Sequence, residues 1–152
     1  MRIISGKAGS RTITVPGSVA RPSTDRLREA LFSILGERVP GARVLDLFSV
    51  SGALGLESLS RGADSCDMVD ESREAFAVIR KNIKALGLDQ GKAVHQDVFS
   101  FVKGAGGKYD LIFADPPYFK YAGDQDFVEQ LLADDYLRGL MGDDGLFIVE
   151  EP

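Results

Sequence analysis

The sequence predicts an α/β domain in which a parallel sheet is covered by helices on both faces, and three observations along its 152 residues predict it. From residue 44 onward, short apolar runs alternate with longer segments of helical periodicity, the signature of a parallel sheet. The first strand, helix and second strand together have the length of a βαβ crossover. A glycine-bearing turn follows the first run and an aspartate closes the second. With 44% hydrophobic content the chain holds one sizeable core and is too short for two.

Val44 to Phe48 reads as the first strand, Gly52 to Arg61 as the helix after it, and Cys66 to Asp70 as the second strand. Residues 72–87 carry Phe76, Ile79, Ile83 and Leu86 at helical spacing, with Gly87 as the stop. Ala93 to His95 is a weak third strand, Leu111 to Ala114 a strong fourth, and Leu146 to Val149 a fifth. Residues 125–141 supply a further helical segment with Phe127, Leu131 and Leu132 on one face. No repeat or low-complexity stretch interrupts the pattern.

Residues 1–43 do not follow this alternation, so we divide the chain into an N-terminal basic extension (1–43) and an α/β body (44–152). Arg2 to Ile4 and Thr12 to Val15 are β-prone runs joined by a Gly-Lys-Ala-Gly-Ser turn, which predicts a hairpin. After Pro22, the Ser23-Thr24-Asp25 group offers a helix cap, and Leu27, Leu31, Ile34 and Leu35 form an apolar stripe. The net charge of −5 argues at first against a nucleic-acid partner. It is unevenly spread: residues 1–43 hold eight basic groups against three acidic ones, and the remainder holds ten against twenty. A basic arm on an acidic body is the expectation, with Arg2, Lys7, Arg11, Arg21 and Arg26 as candidate nucleic-acid contacts, although a solvated face has the same composition.

No run of 18 or more apolar residues is present, and the N-terminus lacks the apolar segment of a signal peptide, so a cytoplasmic protein without membrane contact is expected. The single cysteine, Cys66, has no partner for an internal disulfide and reads as a buried structural thiol. His95, the sole histidine, reads as structural or solvent-facing.

Two constellations carry chemistry. In DLFSVSGALGLE, Asp46 to Glu57, the residues Ser51, Gly52 and Gly55 lie in the turn after the first strand, at the sheet edge where open α/β folds bind ligands. Asp70 closes the second strand 18 residues after Gly52, where an acid typically bonds the ribose of a nucleoside cofactor. A glycine-rich turn alone is weak evidence, because glycine is the default residue of tight turns. The usual dinucleotide pattern has glycine where this chain has Val50, and the nearby anion Asp46 suits the ammonium of a methionine tail better than a pyrophosphate. The second constellation is Asp115-Pro116-Pro117-Tyr118, directly after the fourth strand. Its paired prolines stiffen the backbone, so the Asp115 carboxylate and the Pro116 carbonyl offer two acceptors to the two hydrogens of an amino group, with Tyr118 placed to stack on the ring that bears it. An exocyclic amine is a poor nucleophile, and such acceptors hold it aligned and stabilise its developing positive charge. No metal is required.

The runs RIISGKAGSRTI at the start, RPSTDRLREALFSIL at 21–35, DLFSVSGALGLESLSRGA at 46–63 and DPPY at 115–118 together resemble the bacterial 16S ribosomal RNA guanine-N2 methyltransferase family, collinearly over essentially the whole chain. The resemblance implies a Rossmann-like class I methyltransferase fold, S-adenosylmethionine as cofactor, and 16S ribosomal RNA or a small-subunit assembly particle as partner. It implies that Asp46, Ser51, Gly52, Asp70 and Asp97 line the cofactor site, with Asp97 beside the adenine, and that Asp115, Pro116, Pro117 and Tyr118 receive the target base. Two departures stand out: Val50 replaces a glycine of the family, and the strand pair that the resemblance implies after the fifth strand is expected to be absent, since the sequence stops at Pro152. Val50 is expected to weaken cofactor binding, either through strain at positive φ or through a shifted loop. DNA adenine or another amino group is an alternative substrate, and a noncatalytic RNA-binding assembly factor is an alternative of another class. A nicotinamide dehydrogenase is disfavoured, because the DPPY segment offers no hydride-transfer partner.

Overall fold

The computed structural model describes residues 1–17, 24–116 and 127–149. Five parallel strands form one sheet in the order β3-β2-β1-β4-β5: β1 Arg43–Leu47, β2 Ser65–Asp70, β3 Gly91–His95, β4 Tyr109–Ala114 and β5 Met141–Val149. The helices are α1 Asp25–Leu35, α2 Ala53–Ser60, α3 Arg73–Leu86, α4 Val98–Gly104, α5 Phe127–Leu132 and α6 Asp135–Gly139. Strand residues alternate between two cores because successive side chains leave opposite faces of a sheet. Val44, Met68, Leu111 and Phe113 pack with α1, α2 and α3, while Leu45, Leu47, Val69, Ile112 and Ala114 pack with α4, α5 and α6. The connections from β1 to β3 run on one face and those after β3 on the other. The order therefore reverses between β1 and β4, and the carboxyl ends of those two strands border the crevice where such sheets bind ligands.

The buried line of α1 differs from the predicted stripe. Arg28, Phe32 and Leu35 point inward, whereas Leu27 and Ile34 are 46% and 82% exposed. Two adjoining lines of this helix are apolar enough to be buried. The choice falls on the one whose arginine finds a buried carboxylate, Glu57 of α2. In α3 the buried line is Ala75, Ile79, Asn82 and Leu86, which leaves Phe76 and Ile83 at its margin. The expected segment 125–141 breaks into two short helices, because Asp134 accepts a hydrogen bond from the Leu137 N–H and starts α6. Leu132 is 52% exposed instead of sharing the buried face with Leu131. Helix α4 has no counterpart in the predicted elements; Asp97 caps it and only Val98 and Val102 are buried, too short a period to read.

The predicted hairpin is reduced to one antiparallel bridge, Arg2 with Thr12, beside backbone hydrogen bonds such as Ile13 N–H to Met1 O. Its backbone groups are instead taken up by helices α2 and α3. Glu57 accepts the N–H groups of Ile4 at 2.9 Å and Ser5 at 3.2 Å, and Ser60 Oγ accepts that of Ala8. Ile3, Ala8 and Ile13 are thereby buried in the same core as α1–α3. At Gly6, φ is +85° and an added Cβ would lie 2.0 Å from the Ser60 carbonyl oxygen, so only glycine permits this approach. At Gly55 a Cβ would meet Cys66 Sγ and Met68 Cγ at 2.8 Å, which is how closely α2 lies on β2. Cys66 is buried and free, and burial pushes its thiol well above the ordinary range.

Candidate active site at the carboxyl edge of the sheet

The turn between β1 and α2 is organised from beneath by Asp46, the penultimate residue of β1. Asp46 is 2% exposed, and its Oδ2 accepts from Ser49 Oγ at 2.8 Å and from the Gly55 N–H at 3.0 Å. Burial pushes its carboxyl up to about 7 against those two hydrogen bonds, and the negative charges of Asp115 and Asp70 add to the rise. Each of the three aspartates lies at or just beyond a strand end, β1, β2 and β4 respectively. They share a field without being close enough to hold a metal ion, since no group of three potential ligands occurs among the described residues. What they create is a negative potential at the crevice, complementary to a cationic ligand.

Asp70 has a second task. Its Oδ2 accepts the Val50 N–H at 3.0 Å and its Oδ1 the Ser72 N–H at 2.9 Å. Each carboxylate oxygen keeps a further lone pair that can accept a hydroxyl. The turn is bent by three residues with positive φ: Phe48 at 54°, Val50 at 62° and Gly52 at 83°. Of the two outcomes considered for Val50, strain or a shifted loop, the structure holds the first. A β-branched residue in the left-handed region is strained by roughly 1–3 kcal/mol, and the bond to Asp70 helps to hold it there. We expect Val50→Gly to raise stability by about 1 kcal/mol, the relief being partly offset by the backbone entropy of glycine. Urea denaturation checks this: a midpoint unchanged or lowered at constant slope would mean that the turn has adapted to valine.

Ser51 and Gly52 are both buried in this turn. Asp97, beyond β3, is exposed, and its carboxylate caps α4 by accepting the Ser100 N–H at 3.0 Å. Asp115 follows β4 directly and is half-buried, and Pro116 is buried. Pro117 and Tyr118 lie outside the described residues. His95 is exposed, stacks on Phe76 with ring centroids 5.4 Å apart, and has Nε2 2.9 Å from the Glu71 carbonyl oxygen.

The N-terminal cations divide into two groups. Arg28 is fully buried between Glu57 at 3.4 Å and Asp25 at 2.6 Å, and burial lowers its pKa against the pull of those carboxylates. Arg2 pairs with Asp25 at 2.8 Å, and Arg11 donates to the Ala85 carbonyl. Arg43 lies over the Tyr109 ring and donates to the carbonyls of Gly106 and Lys108. Lys7 and Arg26 are exposed, and Arg21 lies outside the described residues. Counting charges thus overstates the cationic surface, because several of these residues hold the fold together.

Sequence reasoning passed over Ser49, Glu57 and Asn82, which organise the turn and fasten the N-terminal segment. The signal for Asn82 is a polar residue spaced three after Ile79 and four before Leu86, within the inward line of α3.

The chain matches the family described as Conserved hypothetical protein 95 over residues 1–152. It belongs to that family. Ribosomal RNA small subunit methyltransferase D of Escherichia coli (strain K12) is 36% identical over 151 residues, covering 99% of this chain and 74% of the relative. The solved structure of a hypothetical protein from Thermus thermophilus superposes with a TM-score of 0.82 at 36% identity, covering 98% of this chain and 84% of that one. The SAM-dependent methyltransferase from Agrobacterium tumefaciens gives a TM-score of 0.65 at 25% identity, over 82% of this chain and 42% of its own. The fold is accordingly the Rossmann-like methyltransferase fold. No helix among the described residues is long and apolar enough to cross a membrane.

Proposed function

We propose that this member of the Conserved hypothetical protein 95 family is an S-adenosylmethionine-dependent methyltransferase that modifies the N2 amino group of a guanine in small-subunit ribosomal RNA. The observation that carries the reading is the disposition of Asp46, Asp70 and Asp115 around the switch point of the sheet, where Asp70 and Asp115 supply the negative charge and buried Asp46 holds the turn. An anionic crevice fits a ligand with two positive centres, the ammonium and the sulfonium of S-adenosylmethionine, and is ill suited to a pyrophosphate. The relatedness to a small-subunit ribosomal RNA methyltransferase supports the substrate class.

In this reading Asp46 holds the turn for the methionine portion, Asp70 accepts the ribose hydroxyls with its remaining lone pairs, and Asp97 lies beside the adenine. When bound, the cofactor supplies an electrophilic methyl carbon on a positively charged sulfur. Asp115 and the Pro116 carbonyl accept the two N–H groups of the target amine, which directs its lone pair toward that carbon, and Tyr118 stacks on the base. With the cofactor bound, Asp115 would stabilise the positive charge on nitrogen as the methyl carbon passes from sulfur to nitrogen, leaving S-adenosylhomocysteine, and would accept the proton that the amine then loses. The N-terminal segment, residues 1–43, is the RNA-contacting part in this scheme, with exposed Lys7 and Arg26 as its phosphate contacts, together with the outward-facing parts of Arg2 and Arg11; Arg21, the remaining candidate, lies outside the described residues.

Transfer of a labelled methyl group to naked 16S RNA, to small-subunit particles and to adenine-containing DNA tests the proposal, with the modified base identified by mass spectrometry. Label in N2-methylguanine of RNA is expected. Lys7→Ala combined with Arg26→Ala should weaken RNA binding and reduce its salt slope by roughly 0.7–0.9 per lost contact. Label in adenine of DNA, or cofactor binding without transfer to any of the three, would overturn it.

A further inference from the structure

Asn82 sits where no simple packing role requires an amide. It is 2% exposed on the inward line of α3, between Ile79 and Leu86, and it faces two segments that are far apart in sequence. Its Oδ1 accepts the Thr14 N–H at 2.9 Å, and its Nδ2 donates to the Thr14 carbonyl at 2.8 Å and to the Ser51 carbonyl at 2.9 Å. Both N–H donors and the acceptor oxygen are therefore used, and they join the N-terminal segment to the turn that follows β1. Ser51 stands between Val50 and Gly52, both with positive φ, so its carbonyl belongs to the most sharply bent part of that turn. The circuit closes on the other side of Ser51. Its Oγ lies 4.0 Å from Met1 Sδ, and the Met1 carbonyl accepts the Ile13 N–H, one residue before Thr14.

We infer that Asn82 is a positioning residue that couples the N-terminal segment to the cofactor turn, so that engagement of one favours the ordered form of the other. The physical reason is the cost of leaving an amide unpaired in a buried place. If the turn opens, Nδ2 loses Ser51, and if the segment lifts away, the same amide loses both bonds to Thr14. Either event takes partners from an amide that is buried in the closed form, which costs free energy to the extent that water does not replace them. The two regions thus share one set of hydrogen bonds, and any ligand that orders the turn stabilises the segment by the same free energy with which the segment favours the ligand. The segment has other anchors, Arg28 and Asp25 of α1 at Arg2, Glu57 and Ser60 of α2 at Ile4 to Ala8, and the Ala85 carbonyl of α3 at Arg11, but Thr14 is the part that Asn82 ties to the turn.

The inference rests on the cofactor reading above, and its test separates the two. Amide hydrogen exchange is followed by NMR in the full chain with and without S-adenosylhomocysteine. In the unaltered protein the ligand is expected to slow exchange at Val50, Gly52 and Gly55, and also at Thr14, by about fivefold or more, the lower end of typical coupling between sites. In Asn82→Ala, Thr14 should exchange faster and lose its response to the ligand, and S-adenosylhomocysteine should bind roughly tenfold more weakly, the loss expected when a buried hydrogen bond is broken. Asn82→Asp keeps the acceptor for the Thr14 N–H and removes the donors, so Thr14 should regain protection that the ligand no longer changes. Protection of the turn without any effect at Thr14 in the unaltered chain overturns the coupling and leaves the cofactor reading standing. Absence of protection at every site overturns both. The first comparison needs no substitution, so failure of a variant to fold does not shield the inference.

Discussion

Asp115→Ala is expected to reduce methyl transfer by roughly 100- to 1,000-fold, the loss typical of removing one preorganised group that stabilises transition-state charge. Affinity for S-adenosylhomocysteine should stay within about twofold, because an interaction made only with the reacting amine affects turnover and leaves ground-state cofactor binding alone. The position of Asp115 after β4, with Asp46 within reach of its charge, adds a readout that does not depend on activity. Asp115 is one of the groups that raise the Asp46 carboxyl to about 7, so its removal should lower the Asp46 pKa, and the side-chain carboxyl resonance of Asp46 should titrate at lower pH. Asp115→Asn keeps an acceptor oxygen but not the charge, and an intermediate rate is expected. Turnover retained in Asp115→Ala would remove Asp115 from the proposed chemistry. An unmoved Asp46 titration would mean that the Asp115 charge contributes nothing to the rise, which burial alone would then carry.

Glu57→Ala should be strongly destabilising, by as much as truncation of a large buried core side chain. The Glu57 carboxylate is fully buried and accepts from Arg28 at 3.4 Å, Arg61 at 2.8 Å and the backbone N–H groups of Ile4 and Ser5. Removing it leaves the buried Arg28 guanidinium with only the partly exposed Asp25 and the Arg2 carbonyl, and Arg28 Nε already has no hydrogen-bond partner among the described residues. Breaking a buried ion pair from one side typically costs about 3–5 kcal/mol, because the surviving charge stays buried and uncompensated. Urea denaturation should show the midpoint fall accordingly, with faster amide exchange at Ile4 and Ser5 before global unfolding. Glu57→Gln, which keeps an acceptor oxygen, should lose less. A change below about 1 kcal/mol in Glu57→Ala, the range of an exposed pair, would mean that the network contributes no more than a surface salt bridge.

Periodicity located β1, β2 and β4 because each is a short, mostly apolar run flanked by turn signals, as a strand covered on both faces must be; β3 and β5 are less buried and are read only from Ala93 and Leu146 onward, short of their starts at Gly91 and Met141. Asp70 and Asp115 could be placed at strand ends for the same reason, since each falls at or just after such a run, whereas Asp46 lies within the first run. A capping residue was readable where a long helix followed, with Thr24 of the Ser23-Thr24-Asp25 group before α1. Short helices escaped: α4 and α6 span seven and five residues, too few turns for a period to repeat, although Asp97 and Asp134 cap them in the usual way.

What the sequence determined by itself is the order of elements, the parallel sheet and the edge at which the acidic and glycine-bearing turns gather, because these follow from local periodicity and chain connectivity. What only the tertiary structure decided is which polar groups are spent inside the fold. Arg28 belongs to a basic segment and Glu57 to a helix of the cofactor motif, yet they meet across 29 residues and are both buried. Asn82 meets Thr14 across 68 residues and Ser51 across 31. Val50 occupies a left-handed conformation that its own side chain disfavours, with its N–H held by Asp70, 20 residues away. A buried charge or amide takes its partner from whatever the packed chain brings within about 3 Å, the reach of a hydrogen bond, and that distance is a property of the folded whole.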